Sequence, residues 1–600
     1  MARLIDELKR RNVIRAALAY LAAAWLVAQL VTVLGDLVAL PPWLGPLLLV
    51  VLAAGFVVVV TLAWMYELTG QGFKTEAAIR ADPTLVRVPA RYLDFLIIGL
   101  LTLALGYFIW ESRFERRDIG GPQVLSVAVL PFTDLSPGGD QAWFAAGMAE
   151  ELMNALVRIP DLRVAGRRSA SSFDPDTQDL ADFAAAVGVS HVLEGSVRTA
   201  DDRIRVSAEL VRAADGINVW SRVFDEGWTD IFAVQERIAE GVIDGLRLHI
   251  GGADRLPRQS RKSADFASYK AYLQGRYHLG RRTARDLELA IDYFHEALRL
   301  EPDRSQTHSG LAAVYAFMPY YRQPLMLDEA GALARSHAQA AIELDEDNAE
   351  AHAILGVIYM NAERNWDEAA AELARAYELG GGDADIVNVY GDYFYNVGDY
   401  ASALVMEGAA AALDPLSAVH QLELGLVHAF RGEFDRAIQH AELAISLNEN
   451  LENAWWQLCR SYIYSGDFAA AARMLEEHAG RLGPGYAGQG RALLAARQGD
   501  RSTAMAIAAD RERDFLANGG SPTVLAFHFA LAGDDRKAAD YLERAYTSAD
   551  AILVSPMYFF LPEDWADLTE TRKALNKPGL TELYDLRRRH IAGGTGRGPP

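Results

Sequence analysis

Two long apolar runs open the chain, residues 13–34 (VIRAALAYLAAAWLVAQLVTVL) and 43–66 (WLGPLLLVVLAAGFVVVVTLAWMY). Each is about twenty residues or longer, enough as a helix to cover roughly 30 Å of hydrocarbon. A third run, residues 93–110 (LDFLIIGLLTLALGYFIW), starts beside Asp94 and ends in an aromatic cluster suited to a membrane interface. The pattern predicts three N-terminal transmembrane helices within residues 1–118. The first run is too long for a removed signal peptide and has no small-residue cleavage site, so it reads as an anchor.

From residue 124 the rhythm changes to short β-branched runs alternating with amphipathic stretches, the mark of a mixed sheet covered by helices. VLSVAVLPF predicts a buried strand, residues 143–158 place Phe144, Met148, Leu152, Ala155 and Leu156 on one helical face, and LRVAGR predicts a second strand. DLADFAAAVG predicts a helix ending at Gly188, where a left-handed cap is natural. Three strand-like runs follow, SHVLEGSVRTA, RIRVSAELVRA and INVWSRVFD, joined at Asp201-Asp202 and at the hairpin signal Asp215-Gly216. A helix over 230–250 closes the order β-α-β-α-β-β-β-α, a small α/β domain spanning 122–250.

The phrases AVLPF, FAAGMAEELMNALVRIPDLRVAGR, VLEGSVR, VSAELVRAADG, VWSRVFD and DIFAVQERIA cover nearly all of residues 124–250. Together they resemble the TolB amino-terminal-like, or FlgO-like, domain of periplasmic and membrane proteins. In relatives of this kind, such a domain followed by tetratricopeptide repeats often sits outside a membrane helix whose cytoplasmic side bears a winged-helix or cyclase domain. Here three apolar segments stand in place of that output domain, so neither DNA binding nor nucleotide cyclisation carries over. The resemblance implies an interaction or sensing module.

A polar linker over 251–266 leads into a region that repeats at a period of 34, the length of a tetratricopeptide helix-turn-helix unit. Gly391, Gly425 and Cys459 recur at that spacing, as do Ala403, Ala437, Ala471, Ala504 and Ala538 with one interval of 33. The turns agree: Gly398-Asp399, Gly432-Glu433, Gly466-Asp467, Gly499-Asp500 and Gly533-Asp534 each place a glycine to end one helix and an acid to cap the next. Less regular units precede them, marked by Ala290, Phe294, Ala297 and Pro302, then Ala334, Ala338 and Ala341, then Leu355, Gly356, Tyr359, Ala369 and Ala376. Small residues let paired helices approach and large ones fill toward the next unit, so residues 267–550 read as an all-α tetratricopeptide solenoid of about eight repeats. Residues 551–592 read as capping helices and 593–600 as a disordered tail.

Charge adds an orientation. Up to residue 118 there are 12 Lys and Arg against 10 Asp and Glu, a net of +2, so the rest of the chain carries −24 of the overall −22. Basic residues in short loops resist translocation, and they flank the first two runs (Arg3, Lys9, Arg10, Arg11, Arg15; Lys74, Arg80, Arg87, Arg91) while the hairpin at 35–46 has none. The expectation is a multi-pass bacterial inner-membrane protein with a cytoplasmic N-terminus and a periplasmic C-terminal region. Arg113, Arg116 and Arg117 oppose it. The acidic remainder lacks the basic footprint of a nucleic-acid binder, so no nucleic-acid partner is expected.

Candidate chemistry is sparse. Cys459 is the single cysteine and fills a slot that neighbouring repeats give to glycine. No HExxH, GxxxxGK[ST], GxSxG or kinase HRD phrase occurs, and Gly483, Gly485 and Gly488 match a dinucleotide loop without a preceding strand. No catalytic residue, cofactor or metal site is expected, and the chain reads as no enzyme. A partner-binding groove is expected on the inner helices at Asn388, Asp392, Tyr395, Asn396, Phe430, Trp456, Arg460 and Tyr464, where aromatic area beside hydrogen-bonding groups suits peptide capture. The function expected is a membrane-anchored scaffold binding other proteins or peptides. The alternative is a membrane receptor whose α/β domain binds a small ligand and signals to a separate effector. Oligomeric state is not legible.

Overall fold

The computed structural model describes residues 125–246 and 266–593, apart from 160, 201–202, 228–230, 282, 322–326, 549 and 560–564, and isolated positions between 17 and 75. The chain divides into two compact units, 1–123 and 124–600.

In the first unit, the described helical positions are Ala17, Tyr20, Leu21 and Ala24 in the first apolar run and Leu52, Gly55, Phe56, Val59 and Thr61 in the second. The Tyr20 hydroxyl donates to the Leu52 carbonyl at 2.8 Å, and its ring lies 6.0 Å from that of Phe56. At Tyr66, where the pattern ends the second spanning helix, the backbone is already strand: β1 (Tyr66–Thr69) pairs antiparallel with β2 (Gly72–Thr75). Among the described residues no helix is long and apolar enough to cross a membrane. This corrects the expectation of three transmembrane helices, and with it the multi-pass inner-membrane location and the periplasmic placement. A crossing needs about twenty consecutive apolar helical residues, and the described helical positions form no such run. The 93–110 run lies outside the described residues, as do most of the first two.

The second unit begins with a mixed sheet. Its strands are β3 (Leu125–Val129), β4 (Thr133–Asp134), β5 (Leu162–Val164), β6 (His191–Ala200), β7 (Arg203–Arg212) and β8 (Ile217–Gly227), in the order β5-β3-β6-β7-β8 with β4 also on β6. β3 runs parallel to β5 and β6, and β6, β7 and β8 are antiparallel neighbours. Gly216, at φ 67°, turns β7 into β8, a conformation glycine adopts without a side-chain clash. Residues 201–202, between β6 and β7, lie outside the described residues. In β7 the inward positions Ile204, Val206, Ala208 and Leu210 are fully buried, as period-two alternation requires. Helices α1 (Ala142–Val157) and α4 (Ile231–Gly245) supply Phe144, Met148, Leu152, Val234 and Ile238 to the same core. Between them come the short α2 (Arg167–Ser171) and α3 (Leu180–Val187), the latter capped by Asp179 and by Gly188 in the left-handed region.

Helical hairpins follow: α5 (Phe266–Arg281) with α6 (Ala284–Leu300), α7 (Ser305–Tyr321) with α8 (Leu327–Leu344), α9 (Ala349–Ile358, continued by a π turn, Tyr359–Glu363) with α10 (Trp366–Gly380), and α11 (Ala384–Asn396) with α12 (Tyr400–Leu413). Then come α13 (Ala418–Phe430) with α14 (Phe434–Leu447), α15 (Glu452–Ser465) with α16 (Phe468–Glu477), α17 (Ala479–Arg497) with α18 (Arg501–Asn518), and α19 (Pro522–Ala532) with α20 (Asp535–Thr547). Ala403, Ala437, Ala471, Ala504 and Ala538 have no exposed surface, so each second helix lies close against its neighbours. The turn glycines 398, 432, 466, 499 and 533 all have positive φ, and Asp399, Asp467, Asp500 and Asp534 cap the helices that follow. At the 483–488 glycine run the backbone leaves helical geometry at Gly483 (φ 67°, ψ 163°), followed by Pro484, so two helical segments meet there at a kink within α17.

Two braces hold this stack. At one end, α1 packs on α5 in one continuous core, and Arg276 bridges Glu150 at 2.5 Å and Glu350 at 2.6 Å. The N-terminus of α2 meets the turn between α12 and α13. Asp414 accepts from the backbone N–H of Ser169 at 2.6 Å and of Arg168 at 3.2 Å, Gly166 donates to the Leu413 carbonyl at 2.8 Å, and Arg168 pairs with Asp385. A Cβ at position 166 would overlap the Asp414 side chain, so only glycine permits this approach. At the other end, α21 (Thr569–Ala574) and α22 (Leu580–Ala592) return to the middle repeats. Buried Arg587 donates to the carbonyls of Asn396, Phe559 and Val554, and the Trp366 indole donates to the Gly579 carbonyl at 2.6 Å.

Candidate functional site

The first helices of successive hairpins lie side by side, and α11, α13 and α15 carry the residues expected to line a groove. Arg460, on α15, is their centre. It is 3% exposed, donates to the Gln457 side-chain oxygen at 2.7 Å and lies 5.1 Å above the Phe430 ring. Tyr395 meets Phe430 edge-on at 5.3 Å. Phe430, Phe434, Arg460, Ser461, Tyr464 and, from the C-terminal segment, Met557 line one small cavity. Arg497 sits 5.1 Å over the ring of Tyr464. Trp456 stacks on Tyr486 at 5.7 Å.

Asn388, Asp392 and Asn396 make a polar floor beside this aromatic basket. Asn388 donates to Glu407 at 2.9 Å across the α11–α12 hairpin, where Gly391 leaves room for the carboxyl. Burial, then the neighbouring Asp392 and Glu423 carboxylates, push Glu407 well above the usual carboxylate range. Asp392 is raised in the same way by burial and Glu423. Glu423 is pushed up to about 7 by burial, although His420 and Arg460 pull it down. Asn396 turns aside: its amide donates to the Asp392 carbonyl at 2.8 Å and its own carbonyl accepts from Arg587.

The structure thus brings Tyr395, Phe430, Arg460 and Tyr464 together, sets Trp456, Asn388 and Asp392 around them, and ties Asn396 to the C-terminal cap. Of the eight, Asp392 and Tyr464 are half-buried and the others buried. Sequence reasoning missed Glu407, Glu423 and Met557. A signal existed for Glu407, a charged residue in register with Ala403 and Ala411 on the packing stripe of an alanine-rich helix.

A second, open feature lies between α10, α11 and α12. This groove of about 390 Å³ is lined by Tyr377, Tyr390, Phe394, Ser402, Val405 and Met406, and Val405 is 63% exposed. Among the described residues no group of three or more His, Cys, Asp or Glu side chains is disposed to hold a metal ion.

Repeated helical hairpins with turn glycines at a fixed register make a helical solenoid of the tetratricopeptide type. No protein-family model matches the chain. Putative adenylate cyclase 3 of Rhizobium meliloti (strain 1021) is 30% identical over 253 residues, 41% of this chain and 42% of that protein, so the chain spans less than half the length of this curated relative. Similar solved structures include PilW, a type IV pilus biogenesis factor (20% identity, 36% of this chain and 93% of that one, TM-score 0.30), and YrrB, a tetratricopeptide protein with an unusual peptide-binding site (21% identity, 31% and 89%, TM-score 0.22).

Proposed function

We propose that the chain is a non-catalytic scaffold that captures protein or peptide segments on its tetratricopeptide solenoid. The recognition surface has two parts. The open part is the aromatic groove at Tyr390 and Phe394. The second part is the basket of Tyr395, Phe430, Trp456, Arg460 and Tyr464 beside Asn388, Asp392 and Asn396, against which Met557 packs. The α/β unit, resembling a TolB amino-terminal-like module, braces the first repeats against the fifth and so fixes the curvature of this surface.

One observation carries the reading. Phe394 lines the open groove and also packs against the cluster of Tyr395, Tyr400 and Phe430, so one aromatic side chain links the accessible surface to the basket. Rigid aromatic area beside Asn, Arg and Met is the composition of protein-binding surfaces. A photoreactive residue placed at Tyr390, followed by mass spectrometry, tests it. The expected result is a reproducible protein adduct that disappears when Phe394→Ala is added and never forms from exposed Leu443 on α14. Equal labelling from Tyr390 and Leu443 would refute it.

A further inference from the structure

A pair of histidines in the second hairpin stands outside this surface. His308 lies on α7 and His337 on α8, both half-buried, with their Nδ1 atoms 3.1 Å apart. The Nε2 of His308 is 3.2 Å from the Pro302 carbonyl. A carbonyl only accepts, so Nε2 carries the proton and the Nδ1 lone pair points at His337. A ring whose far nitrogen donates to a backbone carbonyl while the near one offers its lone pair is the usual posture of a metal-bound histidine. The other ring is held too. Tyr315 stacks on His337 at 5.8 Å and 13°, and the Tyr315 hydroxyl lies 3.5 Å from His295 Nε2.

We propose that His308 and His337 form a two-imidazole site for a late first-row divalent cation (zinc, nickel or copper(II)) with both Nδ1 atoms as ligands, the proton that His337 Nδ1 shares with His308 in the metal-free pair moving to the other ring nitrogen of His337 as the cation enters. Two nitrogens 3.1 Å apart, each roughly 2.0–2.1 Å from one ion, subtend about 95–100° at it, between the octahedral and tetrahedral angles. Imidazole suits these metals and copper(II) binds tightest of them. The chain supplies two ligands, water completes the sphere, and the ion staples α7 to α8.

Isothermal titration of the full chain, prepared without a histidine tag, with zinc chloride tests the site. One equivalent should bind, at least about tenfold more weakly (about 1.4 kcal/mol) in His308→Ala and in His337→Ala, and unchanged in His478→Ala. Copper(II) added to the unmutated chain gives a readout that needs no variant: its electron paramagnetic resonance spectrum should show coupling to two nitrogens. Zinc bound equally well by the His308→Ala/His337→Ala double variant, or a copper spectrum without nitrogen coupling, overturns the proposal.

Discussion

The carboxylate of Asp414 accepts a hydrogen bond from the backbone N–H of Ser169, 245 residues earlier in the chain, at 2.6 Å. Asp414 is 1% exposed and so acts as a buried anionic cap on α2, clamping the α/β unit to the turn between the fourth and fifth hairpins. Hydrogen bonds to a charged group contribute about 1.5–3 kcal/mol each. Asp414→Ala should therefore cost about 2–3 kcal/mol, read as a lowered urea midpoint. Gly166→Ala should cost about 1–3 kcal/mol by overlap, and the double variant less than the sum, since both disrupt one contact.

Glu407 is 1% exposed and, like Glu423, is protonated in the folded state at pH values where the unfolded chain has lost the proton. A raised carboxyl pKa gives stability that is present below the unfolded value of about 4.3 and is lost as pH rises through the folded value, about 7 for Glu423. Glu407→Gln and Glu423→Gln remove that loss. Relative to the unmutated chain, Glu423→Gln should gain about 2–3 kcal/mol between pH 5 and 7.5 in urea unfolding, and Glu407→Gln should gain in the same direction over the same range. A difference independent of pH would contradict this assignment.

Arg587 holds the C-terminal cap through three carbonyls, that of Asn396 on α11 and those of Val554 and Phe559 in the 551–559 segment. Arg587→Lys keeps the charge but not the planar fork that reaches all three. Hydrogen exchange over 551–559 and 569–592 should quicken in Arg587→Lys and more so in Arg587→Ala, which loses about 3 kcal/mol or more locally. Exchange in β6–β8 should not change.

The 34-residue period, the turn glycines and the alanine stripes made the hairpins legible, because each is set by contacts within a hairpin or with its immediate neighbours. The braces were not. Gly166 meets Asp414, and Arg587 meets Asn396, across separations that no local pattern records. The same gap explains the groove residues. Helical periodicity marks Tyr395, Phe430 and Arg460 as inner-helix residues, but says nothing of Met557 packing against them. Hydropathy in the first apolar runs likewise measures composition, whereas the backbone at Tyr66 turns into a hairpin.

The likeness to a putative adenylate cyclase gives a check on the proposed non-catalytic role. The purified chain with ATP and either magnesium or manganese should form no cyclic AMP above a buffer control. Turnover abolished by a point substitution in the chain would refute the scaffold reading.

On the proposed function the solenoid recognises peptide through Phe394 and its neighbours. Peptides selected on the full chain from a random display library, then measured by fluorescence anisotropy, test it most directly. Affinity should fall at least about tenfold, or about 1.4 kcal/mol, in both Tyr390→Ala and Phe394→Ala. Selected peptides that bind both variants as tightly as the unmutated chain would contradict it.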